Sequence, residues 1–381
     1  MARLGDVCII NPKSPGFDDN LKISFVPMPK VGENGEFDPS DVKEYREVKK
    51  GFTYFQNGDV LFAKITPCME NGKGAIANSM ENGVGFGSTE FHVLRPLTDC
   101  VSSKWLYYLL SWSAFRKEAE KNMTGSAGQK RVPKSFLEEY TLTVPTLKEQ
   151  QNATETLDRV SNLISLRKQQ LAKLDELVKA RFVELFGATS ADKCSKRIKD
   201  YAEVLGGYAF KSDLFCTDAI PVIRISNINN GCVELDYDIC FDELFWEQNK
   251  RFRAEQNDVL MAMSGATTGK AGIYKEDMPA LINQRVACIR AKDGIACPMF
   301  LFVATQLEWM YDLIQETSAG CAQPNISGKQ IENMPVPNAT YEQQQQFVAF
   351  VEQTDKSKLV IQQSLDKLET LKKALMQEYF G

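Results

Sequence analysis

Gly265-Ala266-Thr267-Thr268-Gly269-Lys270-Ala271 is the segment whose residue types most suggest chemistry, a glycine-rich turn ending in a lysine. A phosphate loop of the Walker kind needs four residues between its glycines and a Ser or Thr after the lysine to hold magnesium. Here three residues separate the glycines, and Ala271 stands where the hydroxyl is required. The matching place earlier in the chain reads Met69-Glu70-Asn71-Gly72-Lys73-Gly74. Nucleotide hydrolysis is therefore rejected. What remains, twice, is a strand leading into a glycine-rich turn that carries a lysine. Such a turn can present backbone N–H groups and a cation to a DNA phosphate, or it can be a solvated hairpin turn. The candidates it offers are Lys64, Thr66 and Lys73 in the first half, and Ser264, Thr267, Thr268 and Lys270 in the second.

Two polar stretches have the side chains for reading bases. Asn283-Gln284-Arg285 precedes the apolar run Val286-Ala287-Cys288-Ile289, and Ser88-Thr89-Glu90 before Phe91 is its counterpart. The other is Ser318 to Ser327, with Gln323 and Asn325, whose partner is Thr124 to Pro133, with Gln129, Lys130 and Arg131. Asn, Gln and Arg make bidentate contacts to adenine and guanine in the major groove. Gln129 and Gln323 have an equally open structural reading, in which they tie their loops to the backbone. Together these give Ser88, Gln129, Lys130, Arg131, Asn283, Gln284, Arg285, Gln323 and Asn325 as candidate DNA contacts.

Other chemistries find no support. The one histidine, His92, rules out a mechanism that needs two imidazoles. Glu138 and Glu139 are adjacent and would face different sides of an element. Gly85-Phe86-Gly87 is a weak likeness to a methyl-donor motif, and the chain has no Pro-Pro from which an amino-methyltransferase tetrapeptide could be built. None of the 10 cysteines stands at C-x₂-C spacing, so they read as small buried hydrophobes and not as metal ligands. The expectation is no catalytic residue, no metal and no cofactor held by this chain.

The elements that would position these residues come as a duplication spaced by about 194 residues. Arg3-Leu4-Gly5-Asp6 answers to Arg197-Ile198-Lys199-Asp200, and Gly58-Asp59-Val60-Leu61 to Asn257-Asp258-Val259-Leu260. Phe91 to Arg95 answers to Val286 to Arg290, Gln129 to Gln323, and Phe186-Gly187 to Phe380-Gly381. Each half reads as a block of short strands, with an amphipathic helix beginning near Trp105 or Phe300, followed by a long helix. Thr146-x-x-Glu149 and Thr340-x-x-Gln343 are capping boxes that open those helices. A heptad then runs for some forty residues. The pairing candidates on the first helix are Leu157, Ile164, Leu171, Leu174, Val178 and Leu185. On the second they are Val351, Ile361, Leu365, Leu368 and Leu375. Arg167, Arg181, Lys358 and Lys372 interrupt the stripes at non-matching places, so pairing with each other is the economical arrangement. At ~1.5 Å per residue each helix would span roughly 60 Å, which suits a spacer. The expected fold class is α+β, two pseudo-symmetric α/β blocks (1–145 and 188–338) with helices at 146–187 and 339–381 forming an intramolecular antiparallel coiled coil.

Charge sets a further bound. The chain has 381 residues, 45 basic and 50 acidic side chains, and a formal charge of −5. Residues 1–145 hold 18 basic and 18 acidic groups, and residues 188–338 hold 15 and 20. Bulk electrostatics would supply little DNA affinity, least of all to the second block. No run is long and apolar enough for a transmembrane helix, and the N-terminal residues lack the apolar core of a signal peptide, so the expected location is the cytoplasm without membrane attachment.

Taken in order and twice, the strand–Gly-Lys turn, the Gly-…-Gln-…-Ile/Val loop, the Val-Pro exit and the long helix ending in Phe-Gly make the sequence similar to the specificity subunits of type I restriction–modification systems, over essentially the whole chain. That resemblance implies two target recognition domains, each reading one half of a split, asymmetric site in double-stranded DNA, with half-sites roughly one helical turn (~34 Å) apart. It implies two methyltransferase subunits docked on the helices, carrying S-adenosylmethionine for adenine methylation. It leaves room for two restriction subunits using ATP and Mg. Arg131-Val132 departs from the Asn325-Ile326 pattern of the second half. The rival readings are a coiled-coil scaffold without nucleic-acid binding and a fused restriction–methylation enzyme.

Overall fold

The computed structural model describes all residues except 127 and 319–323. It forms two compact units, residues 1–167 with 364–381, and residues 168–363. The helices Leu147–Phe186 and Tyr341–Phe380 are each 40 residues long. Each unit contains one globular block, one end of one helix and the opposite end of the other. The expected boundaries at 145 and 338 cut the chain at the helix starts. The compact units divide it inside the helices, because the helix ends are part of the block cores.

In the first unit a four-stranded antiparallel sheet runs in the order Cys8–Ile10, Phe91–Pro96, Val60–Ala63, Gly74–Ile76. Side chains alternate faces along a strand. Val60 and Phe62 therefore join Trp105, Leu106 and Leu109 of the helix Ser103–Ser111 in one core. Leu61 and Ala63 point the other way, onto Val26 and Phe55 from a second sheet, ordered Val42–Glu44, Lys22–Val26, Val84–Gly87, Thr53–Gln56. All four residues of Val60–Ala63 are buried for this reason.

The second unit repeats that plan. Ala202–Gly206, Val286–Ala291, Val259–Ala262 and Ala271–Ile273 stand in the same order, extended by Cys232–Val233 and Ile228–Asn229. Val259 and Met261 face Phe300 and Leu301, whereas Leu260 and Ala262 face Ile223, Ile228 and Tyr274. A smaller sheet holds Cys240–Phe241, Ile220–Ile223 and Leu281–Ile282.

The stations of the sequence repeat have a common physical cause. Asp6 and Asp200 each accept the backbone N–H of the residue three before, Arg3 (3.1 Å) and Arg197 (2.8 Å). Gly58 and Asn257 have φ of +92° and +72°, a region open to glycine and tolerated by Asn. That turn drives the next residue, Asp59 or Asp258, into the interior, where it is 1% or 3% exposed. A buried carboxylate needs partners. Asp59 accepts two bonds from Arg95 (2.8 and 2.7 Å) and one from the Gln56 N–H. Asp258 does the same with Arg290 (2.9 and 2.7 Å) and the Glu255 N–H.

The heptad residues line the buried side of the long helices. Leu157, Val178, Val351 and Leu365 are buried, and Ile164, Leu171, Leu174, Leu185, Ile361, Leu368 and Leu375 are half-buried. Leucines outside the seam, such as Leu163, Leu166 and Leu359, are exposed. In the first unit Leu157 packs with Leu375 and Met376. In the second, Val178, Phe182 and Leu185 pack with Phe347 and Val351, and Lys358 reaches Asp175 at 2.7 Å. In each unit the start of one helix meets the end of the other, which is antiparallel pairing. Thr146 and Thr340 cap their helices as the boxes require, each hydroxyl accepting the N3 backbone N–H at 3.3 Å. Gln150 and Gln344 then fasten the helix starts to the blocks. Each side-chain amide accepts from one block N–H, Ser102 or Cys297, and donates to block carbonyls.

Candidate nucleic-acid interface

At the turn end of each core sheet, three segments distant in sequence meet edge to edge. In the first unit the Val132 N–H donates to the Lys64 carbonyl (2.9 Å), the Lys64 N–H to Glu90 (2.9 Å), and the Thr66 N–H to Lys130 (3.1 Å). In the second, the Ile326 N–H donates to Met263 (2.9 Å), the Met263 N–H to Arg285 (2.8 Å), and the Gly265 N–H to Pro324 (3.1 Å). The backbone frame is the same. Lys64, Glu90 and Arg131 in one unit therefore occupy the places of Met263, Arg285 and Asn325 in the other.

The side chains on the two frames differ in state. Arg131 lies against Glu90, its Nε and Nη2 donating to the two carboxylate oxygens at 2.9 Å each. Its Nη1 donates to the Gln129 carbonyl at 3.1 Å. The Arg131 guanidinium holds the Glu90 carboxyl below the usual carboxylate range, and Glu90 in turn raises Arg131. In the second unit Gln284, Arg285 and Asn325 are exposed. The Asn283 side-chain oxygen accepts the Arg285 N–H at 3.2 Å, which fixes that turn.

Some expected contacts are placed where they cannot serve as drawn. Thr268 is 2% exposed, with its hydroxyl donating to Gly265 (2.8 Å), so it braces the turn from inside. Its carbonyl accepts from Gln315 at 2.8 Å. The Thr267 hydroxyl is shielded from solvent, and the Thr66 hydroxyl donates to the Lys130 carbonyl at 3.1 Å. The Lys73 ammonium lies 3.5 Å from the Met28 carbonyl, half-buried. Lys270 is exposed and lines a cleft of about 900 Å³ with Lys179, Val183 and Trp309. The Ser88 hydroxyl accepts the Glu90 N–H at 3.2 Å. Gln129 and Lys130 are exposed, Lys64 and Ser264 half-buried, and Gln323 lies outside the described residues.

Two neighbours were not legible as site residues. In the sequence Glu90 stands out only as the counterpart of Arg285. Tyr208 is 38% exposed, and the Gln284 N–H donates to its carbonyl at 2.8 Å, beside Asn283. The Gly206-Gly207 pair is the available signal, since a Cβ on Gly207 would stand 2.2 Å from the Asn283 carbonyl oxygen.

His92 supports the first frame. Asn11 Nδ2 donates to its Nδ1 at 3.0 Å, leaving the Nε2–H to donate to the Val132 carbonyl at 2.8 Å. Burial pushes its pKa below the ordinary value, so the ring is neutral. Among the described residues no cluster of His, Cys, Asp or Glu could hold a metal, and no helix is long and apolar enough to cross a membrane.

The family described as "Type I restriction modification DNA specificity domain" matches residues 1–176 and again 192–370. The EcoAI type I restriction enzyme specificity subunit of Escherichia coli is 40% identical over 215 residues, 55% of this chain and 36% of that protein. The EcoEI specificity subunit, also from Escherichia coli, is 38% identical over 53% and 35%. The MjaVIII specificity subunit of Methanocaldococcus jannaschii is 22% identical over 77% and 72%. The match thus spans about a third of the length of the two E. coli relatives. Among solved structures, a chain from a study of assembly and conformational transition of the type I R-M system has a TM-score of 0.63 at 17% identity, covering 99% of this chain and 96% of that one. The S subunit from M. genitalium has a TM-score of 0.55 at 15% identity, covering 100% and 95%. These structures share the fold.

Proposed function

The chain belongs to the type I restriction modification DNA specificity family, whose domain it matches twice, and from that premise we propose that it is a specificity subunit which reads a bipartite, asymmetric site in double-stranded DNA and has no catalytic role of its own. One observation carries the reading. Two units hold the same backbone frame at the turn end of the same sheet, and the side chains presented on it differ. A rigid scaffold with variable polar groups at its loops is what sequence recognition requires. Phosphate contacts from Lys130 and Lys270 would fix register, and base contacts would come from Arg131, Gln284, Arg285 and Asn325.

The formal charge of −5 supports partners that supply most phosphate contacts. Two methyltransferase subunits would dock on the helices and carry S-adenosylmethionine. Restriction subunits, with ATP and Mg, would join through them. The complex would act in the cytoplasm.

Sequencing the methylated genome with and without this gene is the test. A lost bipartite methyl mark is the expected result. No lost mark returns the chain to the scaffold class, and binding of S-adenosylmethionine by the isolated chain would make it an enzyme. Replacing residues 188–338 by another such block should change one half of the mark only. A four-residue insertion near Leu171 should lengthen the unread gap or abolish assembly, and unchanged spacing at full activity would remove the helices as the ruler.

A further inference from the structure

We infer that Glu90 and Arg131 form a preset guanine reader in the first unit, with Arg131 making the base contact and Glu90 as its positioning residue. The inference rests on the proposed function and deepens it. Arg131 is anchored on both sides of its backbone, exchanging N–H···O bonds with Thr124 at 2.8 and 3.0 Å. The Val132 N–H and the Lys130 carbonyl are bonded to the strand end at Lys64–Thr66. The guanidinium is then fixed by the two-bond contact to Glu90 and the third bond to Gln129.

A guanidinium has five N–H donors. Glu90 and Gln129 take three of them, one each from Nε, Nη1 and Nη2. Two remain without an acceptor among the described residues, one on each terminal nitrogen, and the side chain is 41% exposed. Two donors in a fixed fork require two acceptors. Guanine offers N7 and O6 on its major-groove edge, whereas adenine offers N7 beside a donor amino group. A phosphate is the other common partner of arginine, but here its negative charge would approach the Glu90 carboxylate, whereas the guanine edge is uncharged. The carboxylate thus biases the fork toward a base. Because the fork is held before DNA arrives, ordering this side chain costs little at binding.

The test uses the full chain assembled with its methyltransferase partners. Methylome sequencing first defines the motif. Duplexes carrying it are then made with each guanine in turn replaced by 7-deazaguanine, which pairs normally and lacks N7. One guanine in one half-site should weaken wild-type binding by roughly tenfold or more. R131A should be indifferent at that guanine, and E90Q should show a reduced contrast there. Both variants should keep the wild-type response to guanines of the other half-site. Should R131A fail to fold, R131M keeps the length of the side chain without its donors and must give the same indifference. A wild-type complex insensitive at every guanine, or an R131A or R131M complex that keeps the full wild-type profile, overturns the inference while leaving the proposed function intact. Absence of any gene-dependent motif overturns both.

Discussion

The two recognition frames share backbone and differ in what they present. At one, Glu90 and Arg131 form a pre-bonded ion pair beside Lys64; at the other, Met263, Arg285 and Asn325 stand with Arg285 and Asn325 exposed. The supporting hydrogen bonds agree to about 0.1 Å, 2.9 Å at Val132 and Ile326, and 2.9 and 2.8 Å at Lys64 and Met263. Backbone bonds do not depend on side-chain identity, so the frame survives substitution of every residue it displays. Stability resides in the sheet and the helix seats, and specificity in side chains that the sheet does not need.

That division is most severely tried at the helix seats. Phe182 is fully buried, with ring centroids 4.8 Å from Phe186 and 5.3 Å from both Phe300 and Phe347. Phe182→Ala should destabilise the second unit by about 4 kcal/mol, and Met376→Ala at the equivalent place in the first by about 3 kcal/mol. Hydrogen exchange resolved by peptide should show each loss confined to its own unit. Next come the buried carboxylates. Asp59→Ala strands Arg95, whose side chain is 22% exposed and whose carboxylate partner is Asp59, whereas Asp258→Ala leaves Arg290 its bonds to Glu255 at 2.7 Å and to the Arg253 carbonyl at 3.0 Å. The first should cost about 3 kcal/mol and the second distinctly less, read from urea unfolding. Equal costs would mean that Glu255 does not share the load at the second frame.

Smaller effects sharpen the comparison. Gly58→Ala has room, with Ser103 Oγ at 3.8 Å the sole neighbour, so its penalty is backbone strain at φ +92°. That should amount to about 1 kcal/mol, read from urea unfolding, and Asn257→Gly should be nearly neutral. The least change is a slope. His92 has a depressed pKa in the folded chain, so its contribution to stability is present above the unfolded-state value and is lost as pH falls below it. Protonation also removes the acceptor that Asn11 uses. The first unit alone should loosen as pH falls from about 6.5, the ordinary histidine value. His92→Gln should flatten that response, while the second unit, with Ala287 at this place, shows none.

Much of this was legible beforehand. The heptad identified the buried stripe because a 3–4 spacing of apolar residues has one stable use. The two strand runs and the capping boxes followed from equally local rules. The Asp59 and Arg95 stations were visible as repeats, but their pairing was not, since 36 residues separate them. Glu90 and Arg131 are 41 apart and meet through the strand end at Lys64–Thr66. Only the tertiary register brings them together. Thr268 was misjudged for a related reason. A hydroxyl in a glycine-rich turn looks available until a helix is found above it, and here Gln315 supplies that roof.

The first unit is discontinuous in sequence, and Phe380 lies 5.4 Å from Trp105 and 6.4 Å from Trp112 by ring centroid. During synthesis, then, residues 1–167 are made before the second unit and completed after it. Residues 1–167 leave the ribosome without their final hydrophobic plug and must wait for more than 200 further residues, whereas the second unit has all its parts once residue 363 has emerged. A premature stop codon a few triplets before residue 380 would accordingly injure the fold of a unit encoded mostly more than 200 codons upstream.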